Sequence, residues 1–282
     1  MAKVVLEDIK RLNITSVFKS LIVFYFIRAL RRIIPYLEGT TMRFFQLTLL
    51  YFLTQLYFTN AAVESCLDLR KSGVMTNGYY KVEVKGVMWR VYCDFTSELD
   101  SAWTLVMSWS FENAKTPAFR SKSLIEDAPV NERIPNWDVY RMSKEHMINL
   151  KGKSSHWRVT CSFDTIKIGY KEDMRMDYRD YMRGQFSDFD ITSYQGGASC
   201  KKVEYINVRG HGGHETAPFW QYTSNNLLHT DSSYTGCKFN AKSGSKSSED
   251  NFGYYGATNP KFRCTSGPKA TTQYWFGGYV QI

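Results

Sequence analysis

Apolar and polar residues alternate cleanly after residue 79. Tyr80, Val82 and Val84 alternate with Lys81, Glu83 and Lys85, and after Gly86 the apolar set resumes at Val87, Trp89, Val91 and Cys93. Two period-two runs about a Lys85-Gly86 turn predict a β-hairpin with one face toward a core. Trp103, Leu105, Met107 and Trp109 predict a third strand, and Trp157, Val159, Cys161 and Phe163 a fourth. Ile166, Ile168 and Tyr170 follow an Asp164-Thr165 turn as another, and Val203 to Val208 and Tyr274 to Ile282 read as further strands. Helical periodicity is thinner. Val139 to Leu150 puts Met142, His146, Met147 and Leu150 on one side of a helix, whereas Glu172 to Arg183 reads as a very polar helix or an irregular loop. Asn240 to Glu249, NAKSGSKSSE, reads as a surface loop.

A different pattern precedes the strands. Met42-Arg43, the apolar run Phe44 to Phe58 and the small residues Thr59-Asn60-Ala61 have the order of a secretory signal, with Ala62 as a second cleavage choice. A buried helix would need a polar face, and Gln46, Thr48, Thr54 and Gln55 do not make one. A membrane anchor needs about 20 apolar residues, which the run reaches only if residues 44–63 are retained. Residues 1–41 carry their own apolar patch, Leu21 to Phe26, broken by Arg28, Arg31 and Arg32. Either they are an upstream extension absent from the mature protein, or they stay cytoplasmic and orient an anchor with its C-terminus outside. Both readings export residues 62–282.

The cysteines agree with export. All six, Cys66, Cys93, Cys161, Cys200, Cys237 and Cys264, lie beyond the signal, which suggests three disulfides. No CxxC occurs, so zinc binding has little support, and six cysteines allow 15 connectivities. Charge divides at the same place. Residues 1–61 hold eight Lys/Arg against three Asp/Glu, whereas residues 62–282 hold 28 against 24. The exported net of +4 is ordinary for a soluble domain, and no basic run interleaved with aromatics points to nucleic acid. The 221 exported residues suffice for one domain with a full core.

The segment SCLDLRKSGVMTNGYYKVEVKGVMWRVYCDF, followed by SAWTLV, resembles the opening of a fibrinogen-related domain. The matching residues are Cys66, Ser72-Gly73, Gly78-Tyr79-Tyr80, Val91-Tyr92-Cys93-Asp94 and Trp103-Thr104; Asp100-Ser101-Ala102 replaces the usual acidic-Gly-Gly approach to the tryptophan. Later blocks depart from fibrinogens and ficolins. They resemble a variant group of fibrinogen-like proteins abundant in corals and sea anemones, some similar to skeletal organic matrix proteins. These blocks are Asn136-Trp137, Tyr140-Arg141, His156-Trp157-Arg158, Thr160-Cys161, Phe186 to Phe189, Cys200 to Tyr205, Glu249 to Gly256 and Phe262-Arg263-Cys264. The resemblance implies an α+β fold, mostly antiparallel β with few short helices and long loops, and a secreted extracellular binding or matrix protein. Together with the hairpin, it pairs Cys66 with Cys93. Sequence proximity alone pairs Cys161 with Cys200 and Cys237 with Cys264.

Candidate chemistry is sparse. GxSxG, HExxH, P-loop and Rossmann glycine patterns do not occur. Asp188 and Asp190 read as solvated turn residues. His211, His214 and Glu215 have zinc-ligand chemistry, but three glycines among residues 210–213 leave the backbone unframed and favour an exposed loop. The lone His146, His156 and His229 read as structural. Fibrinogen-related domains commonly carry a calcium loop in their C-terminal half, and Ser247 to Gly253 is the segment of that character here. If calcium binds, Glu249 and Asp250 are the expected ligands. The aromatic residues Phe252 to Tyr255 and Trp275 read as a sugar platform or simply as core. Two functions follow: a lectin-like or adhesive module binding glycans or acetylated groups through C-terminal loops, and a structural matrix protein without a small-ligand pocket. An enzyme is not expected.

Overall fold

The computed structural model describes residues 62–163, 179–193, 196–221, 230, 236–247, 249 and 251–280. Gly78–Val84 (β1) and Val87–Asp94 (β2) form the antiparallel hairpin that the alternation predicts, with Val84 opposite Val87. Lys85 and Gly86 take φ of 51° and 78°. That left-handed pair lets a two-residue turn follow the twist of its strands. A short helix, Cys66–Lys71 (α1), precedes the hairpin. Ser65 caps it by accepting the Asp68 N–H, and Asp68 accepts the Glu64 N–H in return. The Cys66–Cys93 disulfide ties α1 to the end of β2, as expected.

The centre of the sheet joins distant parts of the chain. Thr271–Tyr279 (β11) lies between Ser101–Ser110 (β3) and His156–Cys161 (β5), antiparallel to both. Beyond β5 come Tyr181–Gln185 (β6), Tyr205–Val208 (β8) and His211–Gly213 (β9), and Val139–Arg141 (β4) pairs with the end of β3. Gly196–Lys202 (β7) and Thr216–Gln221 (β10) make a separate ribbon. With the one-turn helix Pro117–Arg120 (α2) and Lys144–Lys151 (α3), the fold is α+β and mostly antiparallel. Every residue of β3 is buried, as are Trp103, Trp109, Trp157 and Trp275. Packing is tight enough to require glycine at two points. A Cβ on Gly277 would lie 2.0 Å from the Ala102 carbonyl oxygen, and one on Gly184 would lie 2.6 Å from the Trp157 ring.

Three elements differ from the expectation. The helix expected over Val139 to Leu150 starts only at Lys144. Before it, the Arg141 backbone pairs with Val130 and Met107, and its buried guanidinium donates to the carbonyls of Ala118, Lys122, Ser123 and Glu126. Ser143 is extended and caps the helix that follows. Residues 181–183, expected in a polar helix or loop, belong to β6; their polar side chain, Arg183, is drawn to Glu98 at 2.6 Å. Val203 precedes its strand rather than starting it, because its N–H donates to Glu215 instead of to a sheet neighbour. The strand expected over Ile166 to Tyr170 lies outside the described residues.

Two of the expected disulfide pairings are corrected. Cys161 pairs with Cys264 and Cys200 with Cys237. Cys161 ends β5 opposite Thr272 of β11, and Cys264 sits in the 3-10 turn Arg263–Thr265 that leads into β11. The sheet thus brings together residues 103 apart, which sequence proximity could not show.

Charge is sealed inside this sheet. Arg158 is fully buried and donates to Asp94 at 2.6 Å and to Glu98 at 2.8 Å. Its guanidinium lies 4.5 Å from the Trp103 ring centre and 4.8 Å from that of Trp275. Glu98 also accepts Arg183 and the hydroxyls of Tyr181 and Tyr279. Burial pushes the Glu98 carboxyl up, but Arg158 and Arg183 outweigh it and hold the group below the usual carboxylate range.

Candidate binding cleft

The hairpin and α3 face each other across a cleft. Val82, Val84 and Val91 line the hairpin side, Met142 and Leu150 the helix side, and Thr104 of β3 also lines it. His146, Asn149 and Leu150 come to the same side because residues three and four apart share a helix face, and Lys153 follows just past the helix end. Glu64, Arg90, Glu132 and Lys153 add charge. Trp89 is the aromatic wall. The Arg133 guanidinium lies 4.2 Å from its ring centre, and His146 stands edge-on to the same indole. His146 is in turn fixed by Glu132, whose carboxylate lies 2.5 Å from Nδ1 and also accepts the Ser143 N–H at 2.6 Å.

Two polar atoms of this wall are unsatisfied. The indole Nε1 of Trp89 and the amide Nδ2 of Asn149 are buried without a hydrogen-bond partner among the described residues. A buried donor left unpaired costs roughly 1–3 kcal/mol. The open cleft holds about 30 Å³, against roughly 10–15 Å³ needed for one water. That volume is too small for a whole sugar ring.

The residues singled out from the sequence lie elsewhere. Glu249 is buried, and its carboxylate meets nitrogen donors: the Arg209 guanidinium at 2.5 Å, the amides of Asn251 and Asn259 at 3.0 Å and the Lys246 N–H at 2.9 Å. A calcium shell is built from oxygens, and the Arg209 charge stands where Glu249 would meet a cation. Asp250 lies outside the described residues. His211 and His214 each face a backbone carbonyl, of Ser243 and Glu204 respectively, and among the described residues no group of three or more metal-ligating side chains forms. Asp188 pairs with Lys202 at 3.0 Å and Asp190 with Lys151 at 2.5 Å. Phe252, Tyr255 and Trp275 are core, while Tyr254 carries the Arg120 guanidinium over its ring. His229 lies outside the described residues.

Sequence reasoning passed over Trp89, His146 and Asn149 as site residues. Trp89 was legible as a strand residue and His146 as a helix residue. Their convergence depends on a hairpin and a helix some 60 residues apart in the chain.

No protein-family model matches the chain, and no curated protein matches it. No helix among the described residues is long and apolar enough to cross a membrane; the apolar run Phe44 to Phe58 lies outside them.

Proposed function

We propose that this chain is a secreted binding module of fibrinogen-like type, lectin-like or adhesive, acting on glycans or other extracellular matrix components. Recognition takes place at the hairpin–helix cleft, which receives a small acceptor-bearing group such as the acetamido group of an N-acetylated sugar. The apolar wall of Val82, Val91 and Leu150 beside the Trp89 indole and Asn149 is the observation that carries this reading. An acetyl group presents a methyl to Val82, Val91 and Leu150, while the sugar ring stays at the mouth. Three disulfides support the extracellular setting, since such bonds persist in oxidising compartments. The sequence blocks quoted above support the fibrinogen-like assignment. A glycan array tests the reading: N-acetylated glycans should bind and their de-acetylated counterparts should not, with Trp89→Ala abolishing the difference.

The small volume also favours a second reading, a structural matrix protein without a small-ligand pocket. Val87 and Met88 are exposed beside the hairpin turn and offer apolar contact surface. Capture on matrix material with a blank glycan array would select this reading.

A further inference from the structure

We propose that Ser155 is a base-activated nucleophile, poised by His156 and Glu204 to accept an acyl group from a small activated ester. The site shares no residue with the Trp89 cleft. Its backbone is clamped on both sides, because the Ser155 N–H donates to Gly277 and its carbonyl accepts the Phe186 N–H, each at 3.0 Å. The side chain is exposed, with Oγ 2.7 Å from Nδ1 of His156. On the other side of the imidazole, Nε2 lies 3.1 Å from the Glu204 carboxylate.

The protons follow from the acid. Glu204 also accepts the Gln185 amide at 2.6 Å and Nε of Arg183 at 2.9 Å. Burial pushes its carboxyl up, but the Gln185 hydrogen bond and the charges of His156 and Arg183 outweigh this and hold it below the usual range. A carboxylate only accepts, so in neutral His156 the proton sits on Nε2. Nδ1 then offers its lone pair to the Ser155 hydroxyl, which must donate. Nucleophile, base and orienting acid are thus in sequence, with the two imidazole nitrogens exchanged relative to the usual serine triad.

The approach is kept clear by a glycine. A Cβ on Gly278 would lie 2.3 Å from the Ser155 Oγ and 3.3 Å from the His156 Nδ1, at the bond that activates the hydroxyl. In the acylation step, Oγ bonds to the ester carbonyl carbon while its proton passes to Nδ1. The carbon–oxygen bond to the leaving group breaks, and that group departs with the electron pair and takes the proton from the imidazolium, whose charge Glu204 offsets meanwhile.

The test is to treat the full chain with p-nitrophenyl acetate and locate acetyl groups by peptide mass. Ser155 should be acetylated. His156→Gln should slow it by about 100-fold, and Ser155→Ala should remove that acetyl group with an unchanged thermal midpoint. No acetyl on Ser155 would overturn the proposal. So would a wild-type rate at Ser155 no faster than at other exposed serines, a result that needs no variant to fold.

Discussion

The Arg158 guanidinium meets the Glu98 carboxylate at 2.8 Å with both side chains sealed from water. Removing the acid leaves a buried cation under-compensated, so Glu98→Gln should cost about 3–5 kcal/mol. The pH dependence has a definite sign. Glu98 is depressed in the folded state, so its stabilisation is present above its unfolded pKa and is lost as pH falls through the folded value. Urea melts at neutral and acid pH check both points: the variant should lose stability at neutral pH and depend less steeply on acid.

Arg141 holds four carbonyls of the 118–126 segment with one planar fork. Burial pushes it down to about 10, with Asp127 and Glu126 pulling back, so it stays charged at neutral pH. Lysine has a single ammonium and cannot reach all four acceptors. Arg141→Lys should therefore lose at least about 2 kcal/mol, and amide exchange should quicken first in the loop between α2 and β4.

Peptide mapping without reduction should recover Cys161 joined to Cys264 and Cys200 joined to Cys237. The Cys161–Cys264 bond closes the longest loop, 103 residues against 37 and 27. On the chain-entropy account a loop of that size contributes about 4.7 kcal/mol. Replacing that pair by alanines should lower the denaturation midpoint more than replacing either other pair.

Glu249 is held by Arg209 at 2.5 Å, with both side chains almost fully buried. Glu249→Gln should destabilise by about 3–5 kcal/mol, equally in calcium and in chelator. Thermal melts of the wild type and variant decide where any ion sits. A calcium-dependent midpoint that survives in Glu249→Gln places the ion on other oxygens, whereas one lost with Glu249 assigns the site to this carboxylate.

The parts of the fold legible in the sequence were those whose signal is local. The β1–β2 hairpin shows because one face is wet, so Lys81 and Glu83 alternate with Val82 and Val84. Strand β6 did not show, because Arg183 is spent on Glu98 and Gly184 yields its space to Trp157; a strand shaped by its partners carries little pattern of its own. The shift from strand to helix between Arg141 and Lys144 was hidden because Met142, His146 and Leu150 keep helical spacing across it. The Cys161–Cys264 disulfide, and the cleft between Trp89 and Asn149, are long-range relationships set by sheet order and packing.

An acetyl group seated between the hairpin and α3 would lie against Trp89 and Asn149. The most direct measurement follows the Trp89 indole N–H in a nitrogen-15 spectrum of the full chain during titration with N-acetylglucosamine oligomers. That resonance should shift and saturate together with the Asn149 side-chain amide, and hold still with the de-acetylated oligomer. Both resonances holding still while other surface amides move, or moving equally with the de-acetylated oligomer, would contradict it.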